Sequence, residues 1–290
     1  MRRTLLIRGS AVAVLLACAW LTYTQNPPAP GIGNQKLGIQ KLKDDLYVIG
    51  VTKGVGGGNV AVQVTGEGVI LVDDMFDRNH DEIIEKLRTV TDKPIKYVLN
   101  THQHEDHSGG NAKMAAMNAE LISHRNARAN MALLKMPGLA HVTFSNEMSV
   151  YLGGQEARAH YYGRGHTGGD AVMEFPAEKV IHTGDLFLTF PPQPFIDYAQ
   201  GGSALEWTKT LDGVLKLDFD IAIPGHGPVS DRAGIVKFRN EFQAMRDRIQ
   251  GLVRSGASKD EISKVLVGDY HWAAGGLAVQ QVDAMIAELK

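Results

Sequence analysis

Thr101-His102-Gln103-His104-Glu105-Asp106-His107-Ser108-Gly109-Gly110 is the stretch that decides how this chain is read. Three histidines and an aspartate fall within six residues, directly after the short apolar strand expected at Ile95–Leu99. Imidazole nitrogen and carboxylate oxygen both suit zinc at about 2.0–2.2 Å. The residue between His102 and His104 lets both face one ion, and Asp106 and His107, one step further round the turn, can face a second. A lone histidine in a polar loop would carry no such meaning, but this cluster has matching partners downstream. They are His166 in Gly163-Arg164-Gly165-His166-Thr167, Asp185 in His182-Thr183-Gly184-Asp185, and His226 in Pro224-Gly225-His226-Gly227. Each follows a strand-like stretch and sits beside glycines that allow close backbone approach. Loops on a rigid scaffold are where reactive groups collect.

Around these segments the hydrophobic pattern is that of an α/β chain. Val60–Val64 and Val69–Val72 flank Thr65-Gly66-Glu67-Gly68 in the manner of a hairpin. Ile83, Ile84, Leu87 and Val90 recur at helical spacing. Further strands are expected at Leu46–Ile49, Val150–Leu152, Ala157–Tyr162, Ala171–Phe175, Lys179–His182 and Phe219–Ile223. Helices are expected at Ala204–Leu217, Ala233–Arg254, Lys259–Val267 and about Ala278–Leu289. Each half reads as strands followed by helices, without strict βαβ alternation, so two facing sheets with helices outside both would bury the pattern.

The N-terminus reads as an export signal. Arg2, Arg3 and Arg8 precede an uncharged run from Ala11 to Leu21, and Asn26-Pro27-Pro28-Ala29-Pro30 ends any helix there. The run falls short of the ~20 residues that span a bilayer, so residues 1–25 are expected to be cleaved, leaving the product periplasmic or secreted with no stable membrane span. Arg2-Arg3 loosely fits a twin-arginine signal, and Cys18 a lipid-anchor site, a less favoured alternative. Residues 26–38 are expected to be a linker and 39–290 a single domain. Cys18 is the chain's one cysteine, so a mature chain would have no disulfide and no thiol ligand. Without the three signal arginines the 30 basic residues become 27 against 32 acidic ones, a formal charge of −5. That balance argues against a nucleic-acid partner.

The succession His-x-His-x-Asp-His, Gly-His-Thr, Gly-Asp and Gly-His-Gly resembles the metallo-β-lactamase superfamily, over Leu42 to about His226. The resemblance implies a four-layer αββα sandwich with two metal ions, expected to be zinc, at one edge of the sheets. It implies that His102, His104 and His166 hold the first ion, that Asp106, His107 and His226 hold the second, and that Asp185 bridges them, as in the glyoxalase II-like branch. Two cations sharing a water would lower its pKa from 15.7 toward 7. Asp106 is the residue expected to orient the resulting hydroxide and shuttle a proton. The substrate is then a small molecule with an amide- or ester-like bond, a β-lactam first among the candidates. The chain departs from the best-known lactamases, which resemble Gly184-Asp185 but have cysteine where Leu186 stands and lysine where Thr189 stands. A lactone or thioester hydrolase is the alternative within the hydrolases, although lactonases similar to this chain place tyrosine where Leu188 stands. An iron-dependent, sulfur dioxygenase-like oxidoreductase with iron or mixed metal is the alternative outside them.

Secondary candidates are weaker. Thr101 and Thr167 neighbour the expected ligands and could orient them. His182 either supports the site or simply ends a strand. Tyr161, Tyr198 and Trp207 are possible substrate contacts, and Phe190–Phe195 a possible apolar wall. Gly54–Gly58 reads as a flap beside the metals or as a plain turn. His80, His124, His141, His160 and His271 lack ligand-like surroundings.

Overall fold

Strands β3 (Val60–Val64) and β4 (Val69–Val72) show why the chain layers as it does. Val60 and Val62 point to one side and Ala61 to the other, each without solvent exposure. A strand buried on both faces must lie inside a stack, with helices on one side and a second sheet on the other. The computed structural model, which describes residues 36–52, 56–190, 193–274 and 281–290, has that form. The signal, Cys18 and all but the end of the linker lie outside the described residues, as do Gly54, Val55 and the first residues of the helix expected from Ala278. Gln35–Lys290 is one compact unit.

Among the described residues the first sheet runs in spatial order β1 (Leu37–Lys43), β2 (Leu46–Val51), β3, β4, β5 (Ile95–Asn100), β6 (Glu120–His124), β7 (Val142–Phe144). The second runs β13 (Ser230–Asp231), β12 (Ile221–Ile223), β11 (Val180–His182), β10 (Val172–Phe175), β9 (Gln155–His160), β8 (Glu147–Leu152). Three apolar layers follow from the alternation. Ile49, Val62, Leu71 and Val98 pack under Ile83 and Leu87 of α1 (His80–Arg88) and Met114 of α3 (Asn111–Ala116). Val48, Ile70 and Leu99 meet Ala159, Met173 and Ile223 between the sheets. Val172, Ile181 and Ala222 meet the helices α5 (Ala204–Val214), α6 (Arg232–Arg254), α7 (Lys259–Asp269) and α8 (Val282–Leu289). The four-layer αββα sandwich expected from the resemblance is present.

The expectation of no strict βαβ alternation needs correction. Strands β4, β5, β6 and β7 pair in parallel, joined by α1, by α2 (Glu105–Ser108) with α3, and by α4 (Arg125–Leu133). Strand β6 and helix α4 escape a pattern search for a reason: Glu120-Leu121-Ile122-Ser123-His124 ends in two polar residues, Ser123 and His124, that are fully or nearly fully buried, and α4 buries only Ala127 and Met131. Strand β1 begins at Leu37, inside the stretch expected as linker.

The parallel pairings fix where the loops emerge. β4 and β5 end at one edge, and in the second sheet β11 and β12 pair in parallel, while β9 runs with β11 because each is antiparallel to β10. The loops after β4, β5, β9, β11 and β12 are those that carry Asp73, His102–His107, His166, Asp185 and His226.

His124 closes β6 and caps α4, accepting from Asn126 N at 3.4 Å through Nδ1 and donating to Ser145 O at 3.0 Å through Nε2. Burial pushes it down to about 4, against about 6.5 in an unfolded chain. The unfolded chain therefore binds more protons between those values, so this residue's penalty on the fold grows as pH falls from 6.5 to 4 and is absent above 7. Metal-free His124→Gln should accordingly lose less melting temperature than the parent on acidification from pH 7 to pH 4.5; parallel curves in thermal denaturation would rule out His124 as a source of acid sensitivity.

Candidate functional site

The loop after β4 builds the support for the site. Asp73, fully buried and in the left-handed conformation at φ 63°, accepts from Thr101 N and Thr101 Oγ1, each at 2.7 Å, and from His107 Nδ1 at 2.8 Å. An aspartate tolerates that conformation better than most side chains. With its proton committed to Asp73, the Thr101 hydroxyl accepts from His102 Nδ1 at 3.0 Å. His104 donates from Nε2 to Asp197 Oδ2 at 2.9 Å, and His166 donates from Nδ1 to Phe195 O at 2.6 Å.

These second contacts fix the tautomers, because a neutral imidazole that donates from one nitrogen presents a lone pair on the other. His102 Nε2, His104 Nδ1 and His166 Nε2 therefore converge as three lone pairs. His104 Nδ1 lies 3.1 Å from His102 Nε2 and 2.8 Å from His166 Nε2. Burial, then the neighbouring rings, holds His102 well below the usual range, and burial pushes His166 down to about 4. Converging neutral nitrogens repel one another unless a cation sits among them.

A second group lies alongside. His107 Nε2, its other nitrogen given to Asp73, is 3.2 Å from His226 Nε2, 3.7 Å from Asp106 Oδ2 and 3.1 Å from Asp185 Oδ1. His226 Nε2 is 3.0 Å from Asp106 Oδ2. Here the carboxylates overcome burial: Asp185 and Asp106 push His107 well up and His226 up to about 10. Against the same burial, His226 and His107 hold Asp185 and Asp106 below the usual carboxylate range. Asp185 faces both groups, with Oδ1 toward His107 and His226 and Oδ2 3.6 Å from His166 Nε2. Among the described residues Asp185 Oδ1 is buried without a hydrogen bond, as fits an oxygen whose partner is a cation.

Two glycines make this closeness possible. A Cβ on Gly225 would stand 1.9 Å from Asp185 Oδ1, and Gly184 has φ 51° with its Cβ position 2.6 Å from the Thr101 side chain.

All seven residues singled out in the sequence meet here, in three overlapping trios whose ligand atoms lie within 4.8 Å of one another: His102 with His104 and His166, His102 with His107 and Asp185, and Asp106 with His107 and His226. The donor set is nitrogen and oxygen only, in keeping with zinc or another borderline divalent metal.

The pattern of the Metallo-beta-lactamase superfamily matches residues 54–226. The chain belongs to the metallo-β-lactamase superfamily. It is a metal-dependent hydrolase of that fold. Similar proteins include the Elizabethkingia meningoseptica metallo-β-lactamase type 2, 27% identical over 68% of this chain and 81% of that protein. A Bacillus cereus protein of the same name is 28% identical over 60% of this chain and 68% of its own length. Among solved structures, a metallo-β-lactamase from Pontibacter korlensis superposes with TM-score 0.65 and 20% identity, over 72% of this chain and 99% of that one. DIM-1 metallo-β-lactamase gives 0.63, at 20% identity over 72% and 98%.

The weaker candidates divide. Thr101 does contact a site histidine, whereas Thr167 turns to Asp170, donating from N and Oγ1 to its carboxylate. Burial raises that carboxyl to about 7. His182 donates to Asn59 O and accepts from Gly184 N, a strand end held locally. Of the three aromatic residues named as possible substrate contacts, Trp207 is corrected, and Tyr161 and Tyr198 are half-buried with their hydroxyls engaged within the protein. Trp207 is completely buried with Nε1 donating to Leu186 O, Tyr161 stacks on His124 and donates to Gly168 O, and the Tyr198 hydroxyl donates to Glu288. The polar groups that sequence reading missed are Asp73 and Asp197. Asp73 had a signal, an acidic residue ending the wholly apolar strand Val69–Val72. Asp197 had none, because its contact with His104 spans 93 residues.

Proposed function

We propose that the chain is an exported dinuclear zinc hydrolase acting on an amide- or ester-like bond in a small molecule, a β-lactam first. The observation that carries this reading is the aim of Asp185, one oxygen toward each histidine group. His102, His104 and His166 would hold one ion, and Asp106, His107 and His226 the other, with Asp185 between. Zinc there supplies Lewis acidity and lowers the pKa of water toward 7. Asp106 has one carboxylate oxygen tied to His226 and is 25% exposed, so its other oxygen is the group we assign to proton transfer. Asp73, Asp197 and the Phe195 carbonyl keep the imidazoles in the tautomers that present lone pairs.

The β-lactam is supported by the names of the Elizabethkingia and Bacillus relatives. A lactone or thioester is the second reading, favoured by a neighbouring cavity of about 610 Å³. Thr52, Asn59, Thr189, Phe190, Gly227 and Val229 line it, and no charged side chain does so among the described residues. Such a wall suits an uncharged substrate portion. Export is supported by the Arg2-Arg3 and Ala11–Leu21 pattern. No described helix is long and apolar enough to cross a membrane.

The test is zinc quantification alongside hydrolysis of a chromogenic β-lactam, a lactone and a thioester. About two zinc ions per chain, with β-lactam opening that chelation abolishes, is the expected result. Zinc uptake with lactone or thioester turnover alone would replace the substrate, and failure to take up zinc would end the dinuclear reading.

A further inference from the structure

Helix α8 (Val282–Leu289) follows the stretch matched by the family pattern, which ends at residue 226. Its Glu288 reaches the loop before α5 and receives three donors there. Ser203 Oγ donates to Oε1, and Tyr198 OH and Ala204 N donate to Oε2 at 3.0 and 2.9 Å. Ala204 opens the eleven-residue helix α5, whose N-terminus favours a carboxylate. Ser203 also caps that helix, accepting from Glu206 N at 3.1 Å. One carboxylate thus ties together both ends of the segment 198–204.

That segment continues directly into the groups that aim two of the site histidines. Asp197, just before Tyr198, holds His104 Nε2, and its own N donates to His166 O at 2.8 Å. Phe195, two residues earlier, supplies the carbonyl that takes the His166 Nδ1 proton. Gly202 N donates back to Asp197 O at 2.7 Å, and Ser203 N donates to Gly165 O at 2.9 Å, beside His166. Hydrogen bonds at Phe195 O, at the Asp197 carboxylate and N, and at Ser203 N thus link the segment anchored by Glu288 to His104, His166 and Gly165.

We propose that Glu288 is a positioning residue for the His102–His104–His166 group, acting through the Phe195–Ala204 segment, and that α8 is thereby a working part of the site. The inference rests on the metal reading above. Groups that orient metal ligands are worth roughly 10–100-fold in metal affinity.

The experiment uses Co(II) as probe in a full-length His226→Ala parent, where the Asp106–His107–His226 trio is broken and the three-histidine group stays complete. Glu288→Ala in that parent should weaken Co(II) binding at least tenfold and alter the visible absorption bands, with far-ultraviolet circular dichroism unchanged. Asp283→Asn, which breaks the Lys259–Asp283 pair between α7 and α8 without touching the loop, should change neither. Unchanged affinity and bands in Glu288→Ala would overturn the inference, as would an equal loss in Asp283→Asn. If Glu288→Ala does not fold, Tyr198→Phe with Ser203→Ala removes two of the three contacts and is read by the same criteria. A parent that binds no Co(II) would instead overturn the metal reading itself.

Discussion

Asp185→Ala is expected to lower kcat/KM by at least about a thousandfold, some 4 kcal/mol of barrier at 1.36 kcal/mol per decade, and to reduce bound zinc at both groups. The reason is geometric. Asp185 is the side chain whose two oxygens face different histidine groups, so its loss removes an anion from each. Gly225 packs against it closely, and alanine is smaller than the aspartate it replaces, so the loop has room to keep its course. His141→Ala serves as the control, since that ring is exposed and its nearest carboxylate, Glu120, is 3.7 Å away. His271 is a poorer control because it sits at φ 57°, where alanine would itself be strained. Substrate turnover and metal content measured together decide the matter: an Asp185→Ala protein that keeps two zinc ions and full rate would refute the bridging role.

The second large effect is expected at Asp73, which touches no substrate. Its carboxylate satisfies Thr101 N, Thr101 Oγ1 and His107 Nδ1 with no exposure to water. Alanine there strands three buried donors and occupies a left-handed conformation it disfavours. A loss of about 3–5 kcal/mol follows by analogy with broken buried pairs, or roughly 10 °C in melting temperature for a chain of this size. Asp73→Asn keeps one acceptor oxygen and tolerates the backbone, so it should melt closer to the parent while still weakening zinc binding through His107. Calorimetry of metal-free protein reads the first effect and chelator competition the second. Equal melting of parent and Asp73→Ala would show that water replaces the carboxylate at no cost.

The contrast between these two residues explains what a sequence can disclose. Asp185 was legible because zinc chemistry restricts its neighbours to few residue types, and His-x-His-x-Asp-His narrows them further. Asp73 works through hydrogen bonds that many polar residues could make, so its place at the end of the apolar strand Val69–Val72 is the one mark it carries. Glu288 is less legible still, since a glutamate on an amphipathic helix is ordinarily solvated. The layers followed the same rule. Strands rich in valine and buried on both faces, such as Val60–Val64, were plain, but β6 was hidden by the buried polar Ser123 and His124. Those residues are buried because their polar atoms find partners, the neighbouring His124 carbonyl for the Ser123 hydroxyl and Ser145 O for the His124 ring.

The two sheets share the site unequally at every point. His102, His104, Asp106 and His107 belong to the first half of the chain, and His166, Asp185 and His226 to the second, with the crossing made at Ser145-Asn146 between β7 and β8. Each of the three trios takes members from both halves. Cutting the chain at that crossing would leave two fragments, neither owning a full set of ligands. A bound cation would therefore act as a clasp across the sandwich, and its binding free energy would be spent in part on keeping the halves together.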